Sequence, residues 1–194
     1  MLLKFANRIT FFFVSRNLLE KQYYDWYVYT IQTKMICLIG IASMLVLGSA
    51  FWGVLETILF LQSFILLRKC SGGYHASTWW KCWLTSMVLI VTNSFLSNII
   101  YLYSYISMIL LICFSISIIF IFAPINHPNM KMNSKELYRN KIKARKNVIL
   151  GNVFVLFLSF IFPNHDYAVC YVLGLVNATL FVLIAKIIRQ EVRK

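Results

Sequence analysis

A short basic segment between two long apolar runs carries the residues with which this chain could perform a reaction. Residues 68–82 read RKCSGGYHASTWWKC and include Gly72, Gly73, His75 and Cys82. A cysteine thiolate is a strong nucleophile, and histidine is the usual base that takes the thiol proton. Adjacent glycines let the backbone turn sharply and approach another part of the chain closely. The pattern therefore points to nucleophilic catalysis by a thiol.

The spacing of His75 and Cys82 limits how the two side chains can cooperate. Positions seven apart on one straight helix share a face but stand about 10.5 Å apart along the axis. Proton transfer needs a separation of roughly 3 Å. We therefore expect His75 on a loop or re-entrant turn that folds back over the start of the next helix. An unbroken helix over 73–84, with the two side chains far apart, would argue against the pair.

The residues alone leave two alternatives open. Cys70 is also close to His75 in sequence and is a rival nucleophile. The segment 68–82 also has the composition of a juxtamembrane loop, in which basic and tryptophan side chains anchor at the lipid headgroups.

The rest of the chain has the composition of a membrane protein. Hydrophobic residues make up 60% of its 194 positions, against roughly 45–50% in soluble domains, and they are collected into long runs. Lys and Arg number 19 against 6 acidic residues. Because no basic-aromatic nucleic-acid module is visible, this excess predicts membrane topology and no nucleic-acid partner. The spacing of possible ligands predicts no metal site, and we expect no cofactor.

The apolar runs predict an all-α integral membrane protein with about six transmembrane helices, some of them short. Residues 1–34 form a mixed apolar and basic segment that is typical of an amphipathic helix lying in the membrane interface. Gly53 is expected to divide the run 35–67 by a tight turn. The whole chain, 1–194, is then one membrane-embedded domain. The predicted spans are 35–52, 54–67, 83–103, 105–123, 148–162 and 167–185.

The basic residues support this arrangement. With six spans, all 19 Lys and Arg residues fall in segments on one side of the membrane. The positive-inside rule makes that side cytoplasmic, so both termini and segment 68–82 are predicted to be cytoplasmic. The alternative treats 35–67 as one tilted or kinked helix, which flips the N-terminus and places five basic residues outside. The cytoplasmic segments in the six-span arrangement are 1–34, 68–82, 124–147 and 186–194.

Segment 68–82 combines Arg68, Gly72, Gly73, His75, Ala76 and Cys82. This combination resembles the signature of the accessory gene regulator B family. Members of that family are bacterial membrane cysteine endopeptidases that process the precursor of a quorum-sensing peptide. The chain length, the early position of the motif and the Ala123-Pro124 boundary before a basic loop extend the resemblance over most of the chain.

The resemblance implies a role for each residue of the motif. Cys82 corresponds to the catalytic nucleophile and His75 to its catalytic partner, while Arg68, Gly72 and Gly73 correspond to positions needed for activity. The implied reaction passes through an acyl-enzyme thioester and closes a thiolactone or lactone ring on the released peptide. Backbone N–H groups near the two glycines are the expected oxyanion donors.

The resemblance also implies partners and a location. The protein is expected in the bacterial cell membrane as a homodimer that binds the precursor peptide and anionic inner-leaflet lipid. Cys70 falls on a position that the family leaves variable and is therefore not the expected nucleophile. The rival functions are a non-enzymatic peptide exporter and a membrane scaffold subunit. The residues expected to bind substrate are Lys69, Lys81, Lys131, Lys135 and Arg139.

Overall fold

The computed structural model of the chain describes residues 2–74, 76, 78–102, 104–126, 132–163 and 166–190. Within these residues all regular structure is helical, so the predicted all-α class is confirmed. One short 3₁₀ helix, Lys21–Tyr23, precedes the second α-helix. The α-helices are α1 (Leu2–Ser15), α2 (Tyr24–Phe51), α3 (Val54–Ser71), α4 (Trp79–Leu102), α5 (Ser104–Phe122), α6 (Ser134–Ile161) and α7 (Tyr167–Ile187).

The helices have the composition that a membrane requires. Among the described residues, three stretches are long and apolar enough to cross a bilayer: Lys21–Phe51, Ser134–Ile161 and Tyr167–Ile187. A shorter apolar helix covers Ile106–Phe122. Each of the six predicted apolar runs falls on one of the helices α2 to α7, while their number of membrane crossings stays a prediction.

The expected division of the run 35–67 is confirmed. Helix α2 ends at Phe51 and α3 begins at Val54. Gly53 between them has a φ of 119°, which a glycine adopts without the steric cost that a side chain would bring.

The described residues belong to two compact units, Met1–Met44 and Leu45–Lys194. In the first unit, α1 buries Ala6 and Thr10, and the Thr10 hydroxyl donates to the Ala6 carbonyl oxygen at 2.9 Å. The Tyr24 hydroxyl donates to the Asn7 carbonyl oxygen at 3.2 Å. Helix α1 covers only 2–15 of the interfacial segment predicted over 1–34, because residues 24–34 belong to α2. A position of α1 at a membrane interface stays a prediction.

Helix α7 is the centre of the second unit. It is apolar on all sides and packs against α3, α4, α5 and α6, as expected for a helix that is buried all round. A Cβ at Gly174 would collide with the Ser63 hydroxyl oxygen and the Phe60 carbonyl oxygen. The missing side chain therefore lets the backbones of α3 and α7 approach closely, as small residues do between membrane helices.

Two predicted loops are shorter than expected. Helix α3 continues to Ser71 and α4 begins at Trp79, so the active-site loop predicted over 68–82 is reduced to 72–78. The basic loop predicted over 124–147 is wrong from Ser134 onward, because α6 begins there. Asn133 and Glu136 form a capping box that satisfies the first free N–H groups of α6. The basic residues that follow therefore lie on a helix.

Candidate active site

Cys82 lies in the first turn of α4 with its side chain exposed. Its backbone N–H donates to the Thr78 carbonyl oxygen at 3.2 Å, which joins α4 to the preceding loop. The described residues 72–74, 76 and 78 are not helical. The chain from 73 to 84 is therefore not one helix, which is the condition that a His75–Cys82 pair requires. His75 lies outside the described residues, so the pair itself stays a prediction.

Gly72 and Gly73 form a turn that leaves no room for side chains. Their φ angles are 69° and 125°, in the region that favours glycine. The Gly72 N–H donates to the Arg68 carbonyl oxygen at 3.0 Å and ends α3. A Cβ at Gly72 would lie 2.7 Å from the Ile125 carbonyl oxygen. A Cβ at Gly73 would lie 3.0 Å from Arg68 Nη1 and from the Phe181 backbone.

The glycine turn is held between α7 and the chain that follows α5. The Ile125 N–H donates to the Ser71 carbonyl oxygen at 2.9 Å on one side. On the other side, the Tyr74 N–H donates to the Phe181 carbonyl oxygen at 2.8 Å. The rings of Tyr74 and Phe181 also stack, with centroids 6.1 Å apart and planes inclined by 12°. Packing by two other segments therefore fixes the path of the loop that leads to Cys82.

Arg68 reaches from the last turn of α3 into this turn. Its Nη2 donates to the Tyr74 carbonyl oxygen. The guanidinium carbon lies 4.5 Å from the centroid of the Phe181 ring and 5.8 Å from that of Phe64, within range of cation–π attraction. Nη1 is buried and has no hydrogen-bond partner among the described residues. One face and one edge of the guanidinium are therefore held by contacts with Phe181 and Tyr74.

Arg68 keeps its positive charge in this partly buried position. Burial lowers the pKa of Arg68 to about 10, and the attraction of the Cys82 thiolate partly opposes this shift. Arg68 therefore remains a cation at neutral pH.

Cys70 has different surroundings from Cys82. It is half-buried in the last turn of α3, and Asn147 of α6 donates to its Sγ at 3.6 Å and to the Leu66 carbonyl oxygen at 3.2 Å. The Cys70 thiol therefore takes part in the contact between α3 and α6, whereas the Cys82 thiol is accessible.

The residues expected to bind substrate are on exposed surfaces wherever they are described. Lys69 lies on the last turn of α3 and Lys81 precedes Cys82 on α4, with its Nζ 5.7 Å from the Trp80 ring. Lys135 and Arg139 lie one turn apart on α6. Their roles stay predictions, and Lys131 lies outside the described residues. Across the described part of the chain, no group of three or more His, Cys, Asp or Glu side chains could hold a metal ion.

Sequence reasoning missed Tyr74 and Phe181. Tyr74 lies inside the motif, between Gly73 and His75, so its place near the site could be read from the sequence. Phe181 is one of 16 phenylalanines and lies 99 residues after Cys82, the last residue of the motif, in an apolar helix. No local pattern distinguishes it from the other residues of α7, and only the packing of α7 against the glycine turn reveals it.

These features define a class of protein: an all-helical membrane protein with an accessible thiol and a partly buried cation at a glycine turn. The family model named Accessory gene regulator B (AgrB) matches residues 6–189. The chain therefore belongs to the AgrB family, which serves accessory gene regulation in quorum sensing, and the resemblance seen in the motif is confirmed.

Curated relatives agree with this assignment. Protein FsrB of Enterococcus faecalis is 29% identical over 160 residues, which cover 82% of this chain and 64% of that protein. Putative AgrB-like protein 2 of Clostridium perfringens is 28% identical over 130 residues, 64% of this chain and 61% of the relative. The chain thus spans less than two thirds of the length of these relatives. No solved structure matches the chain.

Proposed function

We propose that this protein is a membrane cysteine endopeptidase that cleaves a quorum-sensing precursor peptide and promotes its cyclisation. One observation carries the proposal: the exposed thiol of Cys82 lies in the first turn of α4, directly after the Gly72-Gly73 turn that ends α3. A nucleophilic cysteine needs access and positive charge nearby; its exposure supplies the access, and Lys81 precedes it in the chain.

The reaction begins when the Cys82 thiolate attacks a backbone carbonyl of the precursor, after His75 has taken the thiol proton. A carbon–sulfur bond forms, the carbon–nitrogen bond breaks, and His75 returns the proton to the leaving amine. A cysteine or serine of the bound peptide then attacks the thioester. This closes the thiolactone or lactone ring and releases the Cys82 thiol.

Cyclisation is favoured over hydrolysis for two reasons. The attacking group belongs to the same bound peptide, so its effective concentration is high. In the six-span arrangement the site lies at the membrane surface, where lipid and protein restrict water.

We assign the exposed basic side chains to binding of the precursor peptide and of lipid. Acidic residues of the precursor and anionic lipid of the inner leaflet are both attracted by the exposed basic side chains near Cys82 and on α6. In this proposal the chain crosses the bacterial cell membrane several times as a homodimer, with both termini and the site in the cytoplasm. The described residues concerned are Lys69, Lys81, Lys135 and Arg139, and the proposal adds Lys131 from the sequence.

The first test is co-expression with the candidate precursor peptide encoded by a neighbouring gene, followed by mass spectrometry of the products. We expect Cys82→Ala and His75→Ala to abolish cleavage. Cys70→Ala is the matched control, because it removes a nearby thiol that contacts Asn147, and it should retain cleavage. Cleavage that survives Cys82→Ala would contradict the proposal and favour a peptide exporter or a membrane scaffold.

A further inference from the structure

Helix α4 carries two stripes of side chains that differ in exposure. Residues spaced by three, four or seven positions lie on one face of a helix. One stripe is buried where α4 packs against α5 and α7. The other is exposed and contacts lipid in the proposed membrane arrangement. The packing stripe consists of Met87, Ile90, Ser94 and Ser97, and the lipid stripe consists of Leu84, Val88, Phe95 and Ile99.

The tryptophans around Cys82 divide between the two stripes. The lipid stripe, continued by one turn toward the start of α4, reaches Trp80, whose ring centroid lies 5.7 Å from Lys81 Nζ. A tryptophan beside a lysine at the end of a lipid-facing stripe is typical of an anchor at the headgroups. The packing stripe, continued in the same direction, reaches Trp83 and then Trp79. These two indoles therefore belong to the face that α4 turns toward the rest of the second unit.

The first two turns of this packing face are uncovered. Trp79 is 55% exposed and Trp83 is 38% exposed, whereas Met87 is 8% exposed and Ile90 is fully buried. The face therefore opens at the end of α4 that carries the nucleophile. Large apolar side chains that stand exposed on a packing face indicate a site that another molecule fills.

The thioester chemistry brings a precursor side chain to this place. Trp79 lies three positions before the exposed Cys82 and Trp83 follows it, and side chains three apart on a helix have Cβ atoms about 5–6 Å apart. In the proposed reaction the Cys82 sulfur bonds to the carbonyl carbon of one precursor residue, the acyl residue. Its Cα is bonded to that same carbon. The side chain of the acyl residue is therefore within reach of the indoles for as long as the thioester exists.

We propose that Trp79 and Trp83 form a subsite that binds a large apolar side chain on the acyl residue of the precursor. The inference rests on the proposed peptidase function and adds to it a specificity for this residue. Burial of an apolar side chain against the broad indole surface is favourable, and one methylene in an apolar pocket changes kcat/KM about 10- to 200-fold. An amide of similar shape would have to give up its hydration there.

The test measures kcat/KM for cleavage of the precursor encoded by a neighbouring gene, with the full chain in lipid nanodiscs. Mass spectrometry locates the scissile bond, and three forms of the precursor carry Leu, Ala or Asn as the acyl residue. We expect the wild type to favour the Leu form over the other two by at least about tenfold. In Trp79→Ala the preference should fall below about threefold, because the loss is concentrated in the Leu form. Trp83→Ala should reduce the preference as well.

Trp80→Ala is the matched control. It removes the same side chain from the neighbouring position, which belongs to the lipid stripe, and it should change kcat/KM for all three forms by the same factor. The preference for the Leu form should therefore survive in this variant. Trp79→Phe keeps an aromatic ring and should hold the preference within about threefold of the wild type. Thermal unfolding of each variant identifies any that fail to fold, and Trp83→Ala replaces Trp79→Ala in that case.

Each outcome decides the inference. Equal losses for the three forms in Trp79→Ala, matched by Trp80→Ala, would make Trp79 a lipid anchor and overturn the subsite. A wild type that cleaves the three forms equally, or favours the Ala or Asn form, overturns it as well. A wild-type chain that cleaves neither the native precursor nor any of the three forms overturns the proposed function itself, and is thereby distinguished from these results.

Discussion

Gly72 illustrates how strongly one residue constrains the candidate site. Its φ of 69° suits glycine, and a Cβ would lie 2.7 Å from the Ile125 carbonyl oxygen. We expect Gly72→Ala to lower the free energy of unfolding by about 1–3 kcal/mol, since both backbone strain and a collision with backbone must be relieved. Thermal unfolding in detergent measures this, and peptide cleavage should fall at least about tenfold because the turn lies between the helices that carry Arg68 and Cys82.

Gly40→Ala is the matched control for this prediction. Gly40 lies inside α2, where a Cβ would meet no atom within 4 Å. An alanine inside a helix is favoured over glycine by about 1 kcal/mol, so this variant should be as stable as the wild type or more so. Equal stability of the two variants would contradict the constraint assigned to Gly72.

At the scale of elements, the position of Cys82 depends on how α4 is attached to the rest of the unit. A buried hydrogen bond joins α4 to α7, from Asn177 Nδ2 to Asn93 Oδ1 at 2.7 Å. We expect a double-mutant cycle of Asn93→Ala and Asn177→Ala to give a coupling energy of about 0.6 kcal/mol, and at most about 1.7 kcal/mol. Cleavage should fall severalfold in both variants because α4 carries the nucleophile. Chemical unfolding and initial rates supply the two measurements.

A second buried pair provides the control. Asn152 of α6 donates to the Ser115 hydroxyl of α5 at 3.1 Å, away from α4. Ser115→Ala should cost a similar stability while leaving the cleavage rate within about twofold. Equal loss of activity in Ser115→Ala and Asn93→Ala would mean that the bond between α4 and α7 has no particular connection to the site.

The elements also show what sequence could and could not predict. The positions of α2 to α7 could be predicted from the apolar runs, because helices that are buried or in contact with lipid require apolar residues. The start of α6 was missed, although Asn133 and Glu136 have the spacing of a capping box. Phe181 could not be found, because α7 is apolar on all sides and its periodicity does not reveal which residue faces the glycine turn. That choice depends on tertiary packing.

For the whole molecule, the distribution of charge predicts the side of the membrane on which each segment lies. Lys4, Asp166 and Arg189 fall in the N-terminal segment, the turn before α7 and the C-terminal segment. In a chain whose five native cysteines are replaced, we introduce Lys4→Cys, Asp166→Cys and Arg189→Cys one at a time. Because positive segments stay inside, a membrane-impermeant maleimide should label intact cells only in the Asp166→Cys variant.

The rival topology predicts a different pattern of maleimide labelling. If 35–67 crosses the membrane once, the N-terminus is outside and Lys4→Cys is also labelled in intact cells. The break at Gly53 between α2 and α3 argues against a single crossing, because its φ of 119° interrupts the helix in the middle of the apolar run. Labelling after permeabilisation controls for access to each site. External labelling of Arg189→Cys would contradict both topologies and remove the argument for a cytoplasmic Cys82.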